Sequence, residues 1–171
     1  MLLIQTTKKL ADQLNVKSTK DQIIQNDSLY AWHAHLFVFD RRKYVIVMNN
    51  KSRYNFILGG LVKKDFMRFE ALVKDAIKEN LIADELDAHV VQKYLEQCDT
   101  INFAPTDNRS IISQMNEMIL VTKHIWNAEG LKTKDIDLAD LNRRNNRFVM
   151  LTLPERYSVK AMKSALEKIE D

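Results

Sequence analysis

The stretch 30–48 limits what this chain can fold into more than any other part of it. Tyr30, Trp32, Ala34, Leu36 and Val38 alternate with Ala31, His33, His35, Phe37 and Phe39, and after Asp40-Arg41-Arg42-Lys43 comes Tyr44-Val45-Ile46-Val47-Met48. Aromatic and β-branched residues suit a pleated surface, on which successive side chains point to opposite faces. Two such runs joined by four polar residues predict a β-hairpin, expected at the centre of a sheet. The alternation turns Trp32, Leu36 and Val38 toward covering helices and leaves His33 and His35 facing solvent.

Further strands are expected at 2–6, at 54–58 with Gly59-Gly60 as its stop, and at 100–104 before Pro105. Beyond Gly60 the period changes. Val62, Phe66, Phe69, Val73 and Ile77 recur every three or four residues, the stripe of an amphipathic helix over 62–81. A second helix is expected over 84–97 behind an Asp84 cap. A third, over 110–128, carries Ile111, Met115, Met118, Ile119, Ile125 and Trp126, with Gly130 ending it. Smaller features complete the reading: a short helix bearing Leu10 and Leu14, a polar 15–28 anchored by Ile23 and Ile24, a mixed polar stretch over 131–147, a strand over 148–153, and a last helix capped by Ser158. Three glycines and two prolines in 171 residues leave little room for long loops. Strands lead and helices follow, so the expectation is a single α+β domain over 1–171. Its sheet is small and mostly antiparallel, with three or more helices packed on one face, those at 62–81, 84–97 and 110–128 among them.

Several functional classes are excluded by residue type. Cys98 is the only cysteine, so an internal disulfide and a CxxC zinc site are both impossible. Its place near the end of an apolar helix marks it as core. His33 and His35 share a strand face, yet zinc takes three or four ligands, and the other histidines, His89 and His124, fall on helices. No metal or cofactor is expected. No P-loop, dinucleotide-binding glycine pattern, HExxH, EF-hand or kinase signature is present. No apolar run approaches the length of a membrane span or a signal-peptide core, which sets the expectation of a cytoplasmic protein with no membrane partner.

Two groups of residues can carry binding. Thr106-Asp107-Asn108-Arg109-Ser110 precedes an apolar helix, and helix N-termini hold anions through free N–H groups and partial positive charge. The competing reading is structural: Asp107 or Asn108 caps the helix and Arg109 pairs with a carboxylate. Asn116 on the same helix implies a buried or partner-facing hydrogen bond, and with Arg109 it is expected to fix how this helix meets the sheet. The second group is basic: Arg41, Arg42 and Lys43 at the hairpin tip, Lys63-Lys64, and Arg143, Arg144 and Arg147. These are candidates for phosphate contact, although a net charge of +3 does not require a nucleic-acid partner.

Four segments together carry a resemblance: Thr7-Lys8-Lys9-Leu10, Trp32-x-Ala34-x-Leu36 followed by Arg41-Arg42-Lys43, the run from Asn108-Arg109-Ser110 to Met115-Asn116, and Leu141-Asn142-Arg143. In this order they resemble a family of small bacterial proteins of unknown function, over most of the chain. The resemblance implies a single domain of bacterial or mobile-element origin. It also places Tyr and Asn where this chain has His33 and His35, which argues further against a metal. The function expected first is a non-catalytic binding or regulatory protein acting on a protein partner. The alternatives are nucleic-acid or phosphate binding through the basic residues, or an enzyme of unidentified class with its site at 106–116.

Overall fold

The computed structural model describes residues 1–17, 20 and 27–170; Ile23 and Ile24 lie outside them. Five strands, β1 (Leu2–Thr6), β2 (Ala31–Phe39), β3 (Arg42–Asn49), β4 (Asn55–Leu61) and β5 (Ile101–Pro105), form one sheet in the order β4-β3-β2-β1-β5. The hairpin half is antiparallel, with Leu36 opposite Val45, while β1 runs parallel to both β2 and β5. The α+β class holds, with β2 as the middle strand, but the sheet is mixed and not mostly antiparallel: two of its four strand pairings are parallel, because β1 sits between β2 and β5 and runs with both. Among the described residues seven α-helices accompany the sheet: α1 (Lys8–Leu14), α2 (Lys63–Met67), α3 (Phe69–Ala83), α4 (Ala88–Glu96), α5 (Arg109–Ala128), α6 (Leu138–Asn145) and α7 (Ser158–Glu167).

Helices cover both faces. Leu2, Ile4, Trp32, Leu36, Val45, Val47 and Phe56 pack against α1, α3, α4 and α7 through Leu10, Val73, Ile77, Tyr94, Met162 and Leu166. Trp32 is fully buried, and its indole N–H donates to Tyr94 Oη at 3.0 Å, so its polar atom is satisfied. Three or more helices do share this face, but the 110–128 helix is not among them. α5 lies on the opposite face with α6, over Phe37, Phe39, Tyr44, Ile46, Met48 and Ile57. The reason is in β2 and β3 themselves, which are apolar on both sides, and two apolar faces need two covers.

Three expectations about the hairpin and its neighbour are overturned. His33 is fully buried rather than solvent-facing, and His35 is half-buried. Val38, expected under helices, is exposed opposite Lys43 beside the hairpin tip. Gly59 and Gly60 do not end a strand but lie inside β4. A Cβ on Gly59 would sit 2.6 Å from both the Tyr44 ring and Leu138, so close packing demands glycine there. Gly60 has φ +64° beside the β-bulge that shifts register between Lys43 and Val45.

Helix boundaries shift for identifiable reasons. Asp87, not Asp84, caps α4, accepting from the N–H groups of His89 and Val90. Asn108 caps α5, accepting from Ile111 N at 3.1 Å, and Gly130 takes the left-handed conformation just past its end. Ser158 opens α7 without capping it; its hydroxyl donates instead to Asn146 Oδ1 at 2.9 Å. The polar 131–147 stretch contains α6, and 148–153 forms turns with one isolated bridge, Val149 to Tyr157, instead of a strand.

Candidate functional site

Of the three arginines of the 143–147 cluster, Arg143 and Arg144 are on α6 and Arg147 is in the turn that follows it, and two of them serve the fold. Asp84, at the end of α3, has a fully buried side chain. Arg143 Nε lies 3.0 Å and Arg147 Nη1 2.8 Å from its Oδ1, while the Tyr54 hydroxyl donates to Oδ2. Arg143 also donates to Asn80 Oδ1 at 2.6 Å. Burial, with the Asp84 charge beside it, pushes the Tyr54 hydroxyl well above its usual pKa. It stays a donor at every physiological pH. Arg144 is exposed and pairs with Asp140 one helical turn away. None of the three lines the clefts beside the hairpin tip, so the structure does not bring them together with Arg41, Arg42 and Lys43.

The same helix closes the sheet edge. Asn142 accepts from Ile57 N at 2.8 Å and donates to Ile57 O, while Asn146 accepts from Asn55 N at 2.9 Å and donates to Asn55 O at 2.7 Å. Positions i and i+4 of a helix are spaced much like i and i+2 of a strand, so two amides reproduce one strand's worth of ladder. An open edge is a template for unwanted pairing, and here side chains occupy it.

The 106–116 cluster resolves into exposed residues and Asp107, which ends a polar network running in from buried His33 and Gln5. His33 Nδ1 donates to Asn50 Oδ1 at 2.8 Å, Asn50 donates to Gln5 Oε1 at 2.7 Å, and Gln5 donates to Asp107 Oδ1 at 2.7 Å. His33 Nε2 faces the Asp107 backbone N–H at 3.4 Å and its carboxylate at 3.6 Å. Burial lowers the His33 pKa against the opposing pull of Asn50 and Asp107, which suits a neutral ring accepting through Nε2. His35 is lowered too, by burial and by Lys9 and Lys123. Arg109, Ser110 and Asn116 are exposed. Arg109 and Asn116 make no side-chain hydrogen bond or ion pair among the described residues, so neither fixes α5 on the sheet. That role falls to Ile111, Met115 and Trp126.

The feature that sequence reading missed lies on the outward side of α5. A cleft of about 460 Å³ separates that side from 148–152. Its walls are Met118 and Val121 from α5 and Phe148, Val149, Met150 and Leu151 from the loop. Phe148 is 45%, Val149 56% and Leu151 88% exposed, and Leu120 beside Val121 is 71% exposed. The loop is held in shape: Met150 N donates to Arg156 O at 2.6 Å and Leu153 N to Met150 O at 3.1 Å. Gln114 braces it to α5, donating to Thr152 Oγ1 at 3.2 Å and accepting from Arg53 Nε at 2.7 Å. Glu117 is the one charged residue of the lining, and it has no salt bridge among the described residues. Asn145 also lines the cleft, and its buried amide nitrogen has no hydrogen-bond partner among the described residues. The signal is the apolar run Phe148-Val149-Met150-Leu151 between an arginine-asparagine stretch and Pro154, which reads as a strand; with no strand to pair with beyond the single Val149–Tyr157 bridge, its side chains are left at the surface.

Other reactive groups are accounted for. Cys98 is buried, its thiol donating to Tyr94 O, and burial pushes its pKa up to about 11, which removes it as a nucleophile. Among the described residues no group of three or more His, Cys, Asp or Glu side chains can hold a metal, and no helix is long and apolar enough to cross a membrane.

A family model described as a domain of unknown function, DUF6933, matches residues 3–159. No curated protein and no solved structure matches the chain.

Proposed function

The chain belongs to the DUF6933 family, whose description assigns no activity, and from the geometry we propose that it is a non-catalytic binding protein that takes an apolar segment of a partner protein into the α5/148–152 cleft. One observation carries this reading: the cleft's hydrocarbon walls stand in water on a loop that internal hydrogen bonds hold in place. Contiguous exposed apolar surface is costly for solubility and marks interaction sites. Phe and Met are the side-chain types enriched at interface centres. The chemistry of the lining fits binding: the Thr152 hydroxyl is engaged by the Gln114 amide, and Glu117 is the only titratable group.

The partner segment is specified by the same lining. Two or three apolar anchors fill the space between Met118, Val121, Phe148 and Leu151, and a Lys or Arg beside them meets Glu117. The unpaired Asn145 amide at the cleft leaves a desolvation cost of about 1–3 kcal/mol, which an acceptor brought by the segment offsets. Peptide display against the wild-type protein, with counter-selection on a Phe148→Asp/Leu151→Asp variant, tests this. The expected outcome is enrichment of sequences with spaced apolar residues and an adjacent basic one. Sequences enriched equally on the variant would refute the assignment.

A further inference from the structure

A second surface of different chemistry surrounds the β2–β3 turn. Asp40 and Arg41 both have positive φ, 47° and 60°, the backbone of a tight two-residue hairpin turn. Clefts lie on both sides of it. The larger, about 760 Å³, is lined by Arg41, Arg42, Lys43 and Lys63 together with Gln13 and Phe66. The smaller, about 470 Å³, is lined by Arg42, Lys132 and Lys134 with Thr133, Gly60 and Asp40. Arg42 lines both, so the two clefts adjoin at this side chain and their cations form one basic track.

We propose that this track binds the phosphate backbone of nucleic acid without reading its sequence. Arg41, Arg42, Lys63, Lys132 and Lys134 are exposed and make no ion pair among the described residues. Lys43 is committed differently: its Nζ donates to Gln13 Oε1 at 2.6 Å and sits 6.0 Å from the Phe66 ring centroid. Asp40 is the only carboxylate in either lining, and its Oδ2 accepts from Thr133 N at 2.9 Å. Asp65 and Asp135, near the lysines in sequence, turn onto the backbone N–H groups of Val62 and Lys132.

Six cations against one carboxylate exceed the net +3 of the whole chain, so the rest of the molecule is net acidic. Charge gathered in this way raises the local concentration of a polyanion. The cations are strung along two joined clefts instead of converging on one point, which fits a row of phosphates better than a single one. No aromatic ring at the track is free to stack a base. Phe66 is buried beside Lys43, and Phe37 and Tyr44 pack against Trp126. Contacts to backbone phosphate alone position a strand without specifying it.

Fluorescence anisotropy with a labelled mixed-sequence single-stranded DNA of about 20 nucleotides tests the assignment, read as a function of salt. Four or five phosphate contacts predict a slope of log affinity against log salt near about −3 for a single strand. The Arg42→Ala/Lys63→Ala/Lys132→Ala variant should lose about tenfold or more in affinity at low salt with an unchanged melting temperature. The Lys78→Ala/Lys163→Ala/Lys168→Ala variant removes the same charge from exposed positions outside both clefts and should lose far less. Absence of binding at low salt, equal losses in the two variants, or polyglutamate competing as well as unlabelled DNA would each overturn the proposal.

Discussion

α6 and the loop that follows it use residue types in opposite ways. α6 reads Leu-Ala-Asp-Leu-Asn-Arg-Arg-Asn, mostly polar, yet Asn142, Asn145 and Asn146 beside it are buried. The loop reads Phe-Val-Met-Leu; Met150 is half-buried against the α5 cluster, and Phe148, Val149 and Leu151 stand exposed. In the first, nearly every polar atom has a partner: Asn142 and Asn146 on the edge of β4, Arg143 and Arg147 on Asp84. In the second, hydrocarbon has no cover. Polar groups that are buried and paired hold a fold together, and apolar groups that are ordered and uncovered await a partner. The contrast separates the structural arginines of this protein from its binding surface, a distinction that charge and hydropathy alone reverse.

The largest expected effect is on the structural side. Asp84→Ala removes the buried acceptor shared by Arg143, Arg147 and the Tyr54 hydroxyl; Arg147 is half-exposed and regains water, and the groups that stay buried without a partner cost about 2–3 kcal/mol. Urea unfolding should show that loss. A change under about 1 kcal/mol would mean that the Asp84 cluster is incidental and the contrast with the loop is empty.

A smaller effect tests a second buried polar group. Burial holds the His33 pKa below its ordinary 6.5, so beneath pH 6.5 the unfolded chain binds more protons than the folded one. The stability from a neutral His33 is complete above pH 6.5 and is lost as pH falls from there toward the folded pKa. His35 shifts in the same direction and adds to the slope. His33→Gln should flatten the fall between pH 7 and 5; a wild-type stability flat across that interval would place His33 among the incidental residues.

The smallest expected effect lies in the loop. Phe148→Asp and Leu151→Asp replace exposed side chains and should change stability by no more than about 0.5 kcal/mol. A loss of several kcal/mol would show that the loop is core in solution and would close the cleft.

Much of the fold was legible. The 30–48 alternation predicts the hairpin and the burial of Trp32; the three-four spacing from Val62 to Ile77 marks helix, but the single helix expected over 62–81 is broken at Arg68 into α2 and α3, and Val62 precedes both and is exposed. The face assignment failed because Phe37 and Phe39 interrupt a one-sided pattern, and an interruption of that kind signals a strand covered twice. Asp84 was read as a cap because Asp is a common capping residue. Its arginine partners lie about sixty residues away, on α6 and just past its end, beyond the reach of any local pattern. α6 itself is short and polar, and tertiary hydrogen bonds to β4 decide it. Asn108 was among the expected caps of α5, whereas Arg109 and Asn116 sit exposed because the buried stripe of α5 passes through Ile111, Met115 and Met118. The cleft needed two segments about thirty residues apart to meet, which no single stretch announces.

The most direct test of the binding assignment is a titration of the isotope-labelled protein with the peptide selected by display, followed by backbone NMR. The account predicts shifts confined to Gln114, Met118, Val121, Asn145 and 148–152, with the hairpin tip at 40–43 unmoved, and at least about a tenfold weaker affinity for Phe148→Asp/Leu151→Asp. Shifts spread over the hairpin tip, or undiminished affinity in the variant, would contradict it.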